Sequence, residues 1–129
     1  MMYRPNEPLG ILIIDTTDRF GKRIILEKDR FDEHIGNPKG HEELIGNIDA
    51  IVETIQDPYW VVQSRKNENR YLYIGKSQKS TYPNLNIKTV VDHTGNNFGF
   101  VVTSMFQKRL DPEKEGTIIY VKAEDQRES

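Results

Sequence analysis

The chain has 129 residues, of which 36% are hydrophobic and 29% charged, with a net charge of −2 and no cysteine. A chain of this length suits one domain that buries roughly two-thirds of its unfolded surface. The composition excludes disulfides and thiolate metal sites, and no apolar run reaches the roughly 18 residues of a membrane helix.

The opening segment MMYRPNEPLG lacks the apolar core of a secretory signal, so a cytoplasmic protein with no membrane partner is expected. One domain over 1–129 is expected, with its core over about 9–122 and frayed ends. Charge is unevenly spread. Between Glu27 and Asp57 nine acidic residues face three basic ones, whereas between Trp60 and Leu110 eight basic residues face two acidic ones. A basic strand region can attract a polyanion while the helical side stays acidic. On charge alone, a solvated mixed surface without a partner is the simpler explanation.

In chain order, LGILIID (Leu9–Asp15) and KRIILE (Lys22–Glu27) are apolar runs of strand length around the turn Asp18-Arg19-Phe20-Gly21, an N-terminal hairpin. Asp29 is placed to cap a short helix through Ile35, and Gly36, Pro38 and Gly40 end it. A second helix is predicted over Glu42–Gln56, where Leu44, Ile45, Ile48, Ile51, Val52 and Ile55 form one apolar stripe. Asp57-Pro58 stops it.

Strands follow at Tyr59–Gln63, Arg70–Lys76, Leu85–Asp92, Phe98–Phe106 and Thr117–Lys122. His93 to Asn97 form a hairpin turn, and the stretch before Thr117 reads as a polar loop. The predicted fold is α+β: an N-terminal β-hairpin, two helices, then a twisted antiparallel sheet with the helices packed on one face.

The residues with chemical capacity are scattered. His34 falls near the end of the first helix and His41 at the start of the second. A helix N-terminus disfavours imidazolium, so His41 tends to accept a proton, while His34 beside Glu33 tends to hold one. Two histidines pushed in opposite directions suit an acid/base pair, with either role open to either residue. The plainer alternative makes His41 a helix cap and His34 a surface or packing residue.

Arg70 and Lys76 share strand parity and could grip and neutralise a phosphate. Thr103 and Ser104 offer hydroxyls at a strand end, and Lys88 adds a cation on the strand before. Tyr73 is the best candidate to stack on an unpaired base, whereas Trp60 is assigned to the core. His34, His41 and Glu42 fit no metal-ligand spacing, so neither a metal nor another cofactor is expected.

Several short motifs occur together. His34-Ile35, a spacer, His41-Glu42 opening a helix, and Asp57-Pro58-Tyr59 are followed by Arg70-Tyr71-Leu72-Tyr73-Ile74-Gly75-Lys76 and Val101-Val102-Thr103-Ser104-Met105-Phe106. Over about residues 24–109 this pattern resembles the phage-associated nucleases of the barnase/EndoU/colicin/RelE-like (BECR) superfamily. Many relatives carry Arg-His-Pro-Glu where this chain has Lys39-Gly40-His41-Glu42.

The resemblance implies a toxin-like or phage-associated RNA endonuclease in which the ribose 2′-hydroxyl attacks its own phosphate. That reaction needs a base, an acid and donors around the phosphate, but no metal. His34, His41, Arg70, Lys76 and Thr103 would carry the chemistry, and Tyr73, Ser104 and Lys88 the RNA contacts. A tRNA or mRNA substrate and a neutralising antitoxin or immunity protein are the implied partners. The alternative is a catalytically inactive module on the same fold that binds RNA or protein.

Overall fold

The computed structural model describes residues 10–31, 46–93 and 98–123. The strands are β1 (Leu12–Thr17), β2 (Arg23–Glu27), β3 (Trp60–Ser64), β4 (Arg70–Gly75), β5 (Asn86–Asp92), β6 (Gly99–Gln107) and β7 (Gly116–Val121). The helices are α1 (Lys28–Arg30), α2 (Ile48–Gln56) and α3 (Pro112–Glu115). The strands form one mixed seven-stranded sheet in the order β1-β2-β6-β5-β4-β3-β7, so the architecture is α+β. No helix among the described residues is long and apolar enough to cross a membrane.

The sheet is not wholly antiparallel, as the sequence pattern had suggested. β2 runs parallel to β6, pairing Ile24 with Gly99 and Ile25 with Phe100. The chain between them includes α2 and three other strands, and a crossover of that kind is what parallel pairing requires. β1 and β2 pair antiparallel around a tight turn at Asp18–Lys22. That turn is locked locally: the Asp18 N–H donates to the Lys22 carbonyl at 2.8 Å, and Gly21 takes φ +84°, where a side chain would be strained.

α2 follows the helical period and buries Ala50, Ile51, Thr54 and Ile55. They pack against Ile14, Leu26, Val61, Tyr73, Ile87 and Val91, which belong to one face of the sheet. Burying an isoleucine of this kind stabilises by about 1.5–3 kcal/mol. The Thr54 hydroxyl donates to the Ala50 carbonyl at 2.9 Å, so this polar side chain is satisfied within its own helix. The helix begins at Ile48, and the expected first turn from Glu42 to Ile45 lies outside the described residues. Asn47 does not cap it, because its side-chain carbonyl accepts from the Thr81 N–H at 2.7 Å and anchors the loop after β4.

The opposite face is lined by Val62, Leu72 and Ile74, flanked by Trp60, Val90, Leu110 and Ile118. α3 lies in the stretch read from sequence as a polar loop. The Asp111 side chain accepts from the Glu113 N–H, and Pro112 opens the turn. Irregularities interrupt the register between Val61 and Val62 and between Val90 and Val91. The second has a direct consequence. Val91 pairs with Val101 and Val90 with Thr103, so Val101 and Thr103, two residues apart, face opposite sides of the sheet.

Candidate functional site

The register sorts the sequence-predicted residues onto two faces. Arg70 shares its face with Leu72 and Ile74 and pairs with Asp92 of β5. On β5, Lys88 and Val90 point the same way, and Thr103 of β6 pairs with Val90. Arg70, Lys88 and Thr103 therefore lie on the face opposite α2.

Both cations meet carboxylates there. Arg70 Nε lies 3.4 Å from Asp92 Oδ2, and Lys88 Nζ lies 2.9 Å from Glu115 Oε1. The lysine is 13% exposed, so α3 supplies the anion for a largely buried ammonium. Lys76 stands apart, just beyond the far end of β4, about 20 Å along the strand from Arg70. It lines a polar cleft of about 340 Å³ with Glu53, Asp57, Tyr59 and Lys122.

The α2 side holds Tyr73 and Ser104. Tyr73 is fully buried, so its ring offers no surface on which a base could stack. Ser104 is also buried and shares a 2.9 Å hydrogen bond with Thr89 across β5 and β6, which satisfies both hydroxyls internally. These corrections share one cause: period-two parity places Tyr73 and Ser104 inward, under α2 and the β1–β2 turn. His34 and His41 lie outside the described residues, so their distance from the sheet is not part of this geometry.

A constellation absent from the sequence reading lies beneath the β1–β2 turn. The Tyr73 hydroxyl donates to Asp18 Oδ2 at 2.5 Å and lies 3.1 Å from His93 Nε2. Asp18 Oδ1 accepts from the Phe20 and Lys22 N–H groups at 2.9 and 2.8 Å. A phenol has one proton, and Asp18 receives it. The Tyr73 oxygen is then left to accept, which makes Nε2 the protonated nitrogen of His93. Nδ1 carries the lone pair in the neutral ring.

Burial, with Lys22 nearby, holds the His93 imidazolium below its usual range, while Asp18 and Asp92 pull the other way. Burial, reinforced by Asp18, pushes the Tyr73 phenol far up, so it stays protonated. Room for the imidazole comes from Gly99. A Cβ there would sit 2.8 Å from His93 Cε1 and 2.7 Å from side-chain atoms of Ile24 and Val91.

The sequence held weak signals for this cluster. Asp18 four residues before Lys22 and Gly21 between them mark a side-chain-capped turn, but nothing local indicates that the turn lands on Tyr73, 55 residues away. His93 does lie immediately beyond β5, where a turn was expected, yet its ring packs inward, 4.6 Å from that of Tyr71.

Among the described residues no group of three histidine, aspartate or glutamate side chains is arranged to hold a metal. Compared with known proteins, the chain matches no family model, no curated protein and no solved structure.

Proposed function

We propose that this chain is a metal-independent endoribonuclease of the BECR type, cutting RNA by attack of a ribose 2′-hydroxyl on the adjacent phosphate. The observation that carries the reading is the shared face of Arg70, Lys88 and Thr103 on three adjacent strands. Strand spacing sets Arg70 and Thr103 about 10 Å apart across β5 and about 7 Å along it. An arginine side chain spans much of that gap, so one phosphodiester could meet both. The motif pattern over residues 24–109 supports the same reading, and it supplies His34 and His41 as the acid/base pair.

Lys76, at the other end of β4, serves a neighbouring phosphate rather than the scissile one. The protein acts in the cytoplasm on tRNA or mRNA as a toxin-like or phage-associated domain, restrained by an antitoxin or immunity protein.

The test is cleavage of total RNA by His34→Ala, His41→Ala and Arg70→Ala, with folding checked by circular dichroism. Loss of a general acid or base lowers the rate by about 10²–10⁴-fold. Wild-type cleavage by His41→Ala or Arg70→Ala sinks the assignment. One observation favours a second reading, a module that binds RNA or protein without cutting: Arg70 and Lys88 are already neutralised by Asp92 and Glu115. Under that reading wild-type protein retards RNA on a gel and leaves it intact.

A further inference from the structure

The cations of this molecule are not all neutralised alike. Arg23, Arg70, Lys88 and Lys122 each meet a carboxylate, from Asp15, Asp92, Glu115 and Asp57 respectively. Arg19 and Lys22, on the β1–β2 turn, lie on aromatic rings instead. The Arg19 guanidinium sits 5.3 Å from the centre of the Tyr120 ring, and Lys22 Nζ sits 5.8 Å from that of Tyr71. Both cations are exposed, and neither forms an ion pair among the described residues. Asp18, the carboxylate of the same turn, is 5% exposed and turned inward onto Tyr73 and the turn's own N–H groups.

Between the two cations stands Phe20, which is 43% exposed, an unusual position for so large an apolar ring. Its ring meets Tyr71 and Tyr120 edge-on, at 6.5 and 6.1 Å between centres. Tyr71 in turn meets His93. Arg19, Tyr120, Phe20, Tyr71, Lys22 and His93 thus form one continuous row of rings and positive charge. The row is held rigidly, because Asp18 ties the Phe20 and Lys22 backbone to buried Tyr73. At the other end of the row stands the half-buried His93, whose Nδ1 carries no hydrogen bond among the described residues.

An exposed ring flanked by half-buried ones, with cations that meet no carboxylate (Arg19 Nε donates only to the Tyr120 hydroxyl, at 3.1 Å), matches the chemistry of a single nucleic-acid strand, whose bases stack and whose phosphates need neutralising. We propose that the β1–β2 turn is a binding site for single-stranded RNA, in which Phe20 stacks on a base, Arg19 and Lys22 hold the flanking phosphates, and His93 Nδ1 accepts a hydrogen bond from a base edge. The site lies on the α2 side of the sheet, away from the face that carries Arg70 and Thr103. It extends the nuclease reading by taking RNA as the ligand, and makes the turn a second contact that selects unpaired substrate.

The experiment uses the whole chain and a short fluorescent 2′-O-methyl RNA, which has no free 2′-hydroxyl and cannot be cut by transesterification. Binding is followed by anisotropy across a salt series, with a matched duplex and polyglutamate as competitors. Phe20→Ala is expected to weaken binding about tenfold, and Phe20→Trp to restore it. Arg19→Ala and Lys22→Ala should each reduce the slope of log affinity against log salt by about 0.7.

Wild-type affinity in Phe20→Ala and Lys22→Ala overturns the proposal, as does equal competition by duplex or polyglutamate. Binding with these dependences in a protein that fails to cleave ordinary RNA upholds the site and refutes only the nuclease reading.

Discussion

The two faces of the sheet handle polarity in opposite ways. Beneath α2 and the β1–β2 turn, the buried polar groups satisfy one another through uncharged donors. Tyr73 reaches Asp18 and His93, Thr89 bonds Ser104, and Thr54 bonds its own helix. On the opposite face the polar groups are ions: Arg70 with Asp92, and Lys88 with Glu115. The first arrangement specifies how the chain closes, since each buried group has a directional partner. The second leaves Arg70 near solvent, where a polyanion could exchange with Asp92 at modest cost, whereas Lys88 stays largely buried against Glu115.

The contrast can be broken most strongly at the core. Ile55→Ala removes a fully buried side chain under α2 and is expected to cost about 2–5 kcal/mol in chemical denaturation. A value below 1 kcal/mol, on the order of a surface substitution, would mean that α2 is not the seal of that face. Next in size is Asp18→Ala, which leaves the Phe20 and Lys22 N–H groups and the Tyr73 hydroxyl without their acceptor. About 3 kcal/mol is expected, and Tyr73→Phe should cost less because it strands two groups, one Asp18 carboxylate oxygen and the His93 Nε2–H, rather than three donors.

His93 sharpens the comparison through pH. Its folded pKa lies below the unfolded value of about 6.5, so the unfolded chain takes up the proton first as the solution is acidified. Its contribution to stability is complete above that value and declines as pH falls beneath it. His93→Gln should flatten this part of the stability–pH curve, and an unchanged curve contradicts the assignment of a neutral, half-buried imidazole.

The smallest effect on stability is expected at Arg70, whose side chain is 41% exposed. Arg70→Ala should shift unfolding by less than about 1 kcal/mol, yet strongly reduce RNA cleavage. A large loss of stability with intact cleavage would make Arg70 a structural residue.

Legibility from sequence followed the range of the physics involved. α2 was readable because its apolar stripe is local, and most strands were readable from their length and flanking turns. The mixed sheet was not, since whether β2 lands on β6 in parallel depends on how a crossover closes, which no window of residues encodes. Parity arguments could not place Thr103, because an irregularity opposite Val90 and Val91 reverses the facing of β6. They also left Tyr73 ambiguous, since an aromatic on a strand can point to either side until the cover on each face is known.

The Asp18–Tyr73–His93 chain joins three segments far apart in sequence, and its turn signals are common ones. Arg70 and Lys88 were recognised as cations, but the carboxylates that pair with them come from across the sheet and from an unanticipated helical turn.

The reaction itself is the most direct test. Wild-type protein incubated with single-stranded RNA in excess chelator should release fragments ending in a 2′,3′-cyclic phosphate, identified by mass spectrometry. RNA left intact under those conditions, or fragments carrying 5′-phosphate and 3′-hydroxyl ends instead, would contradict the account.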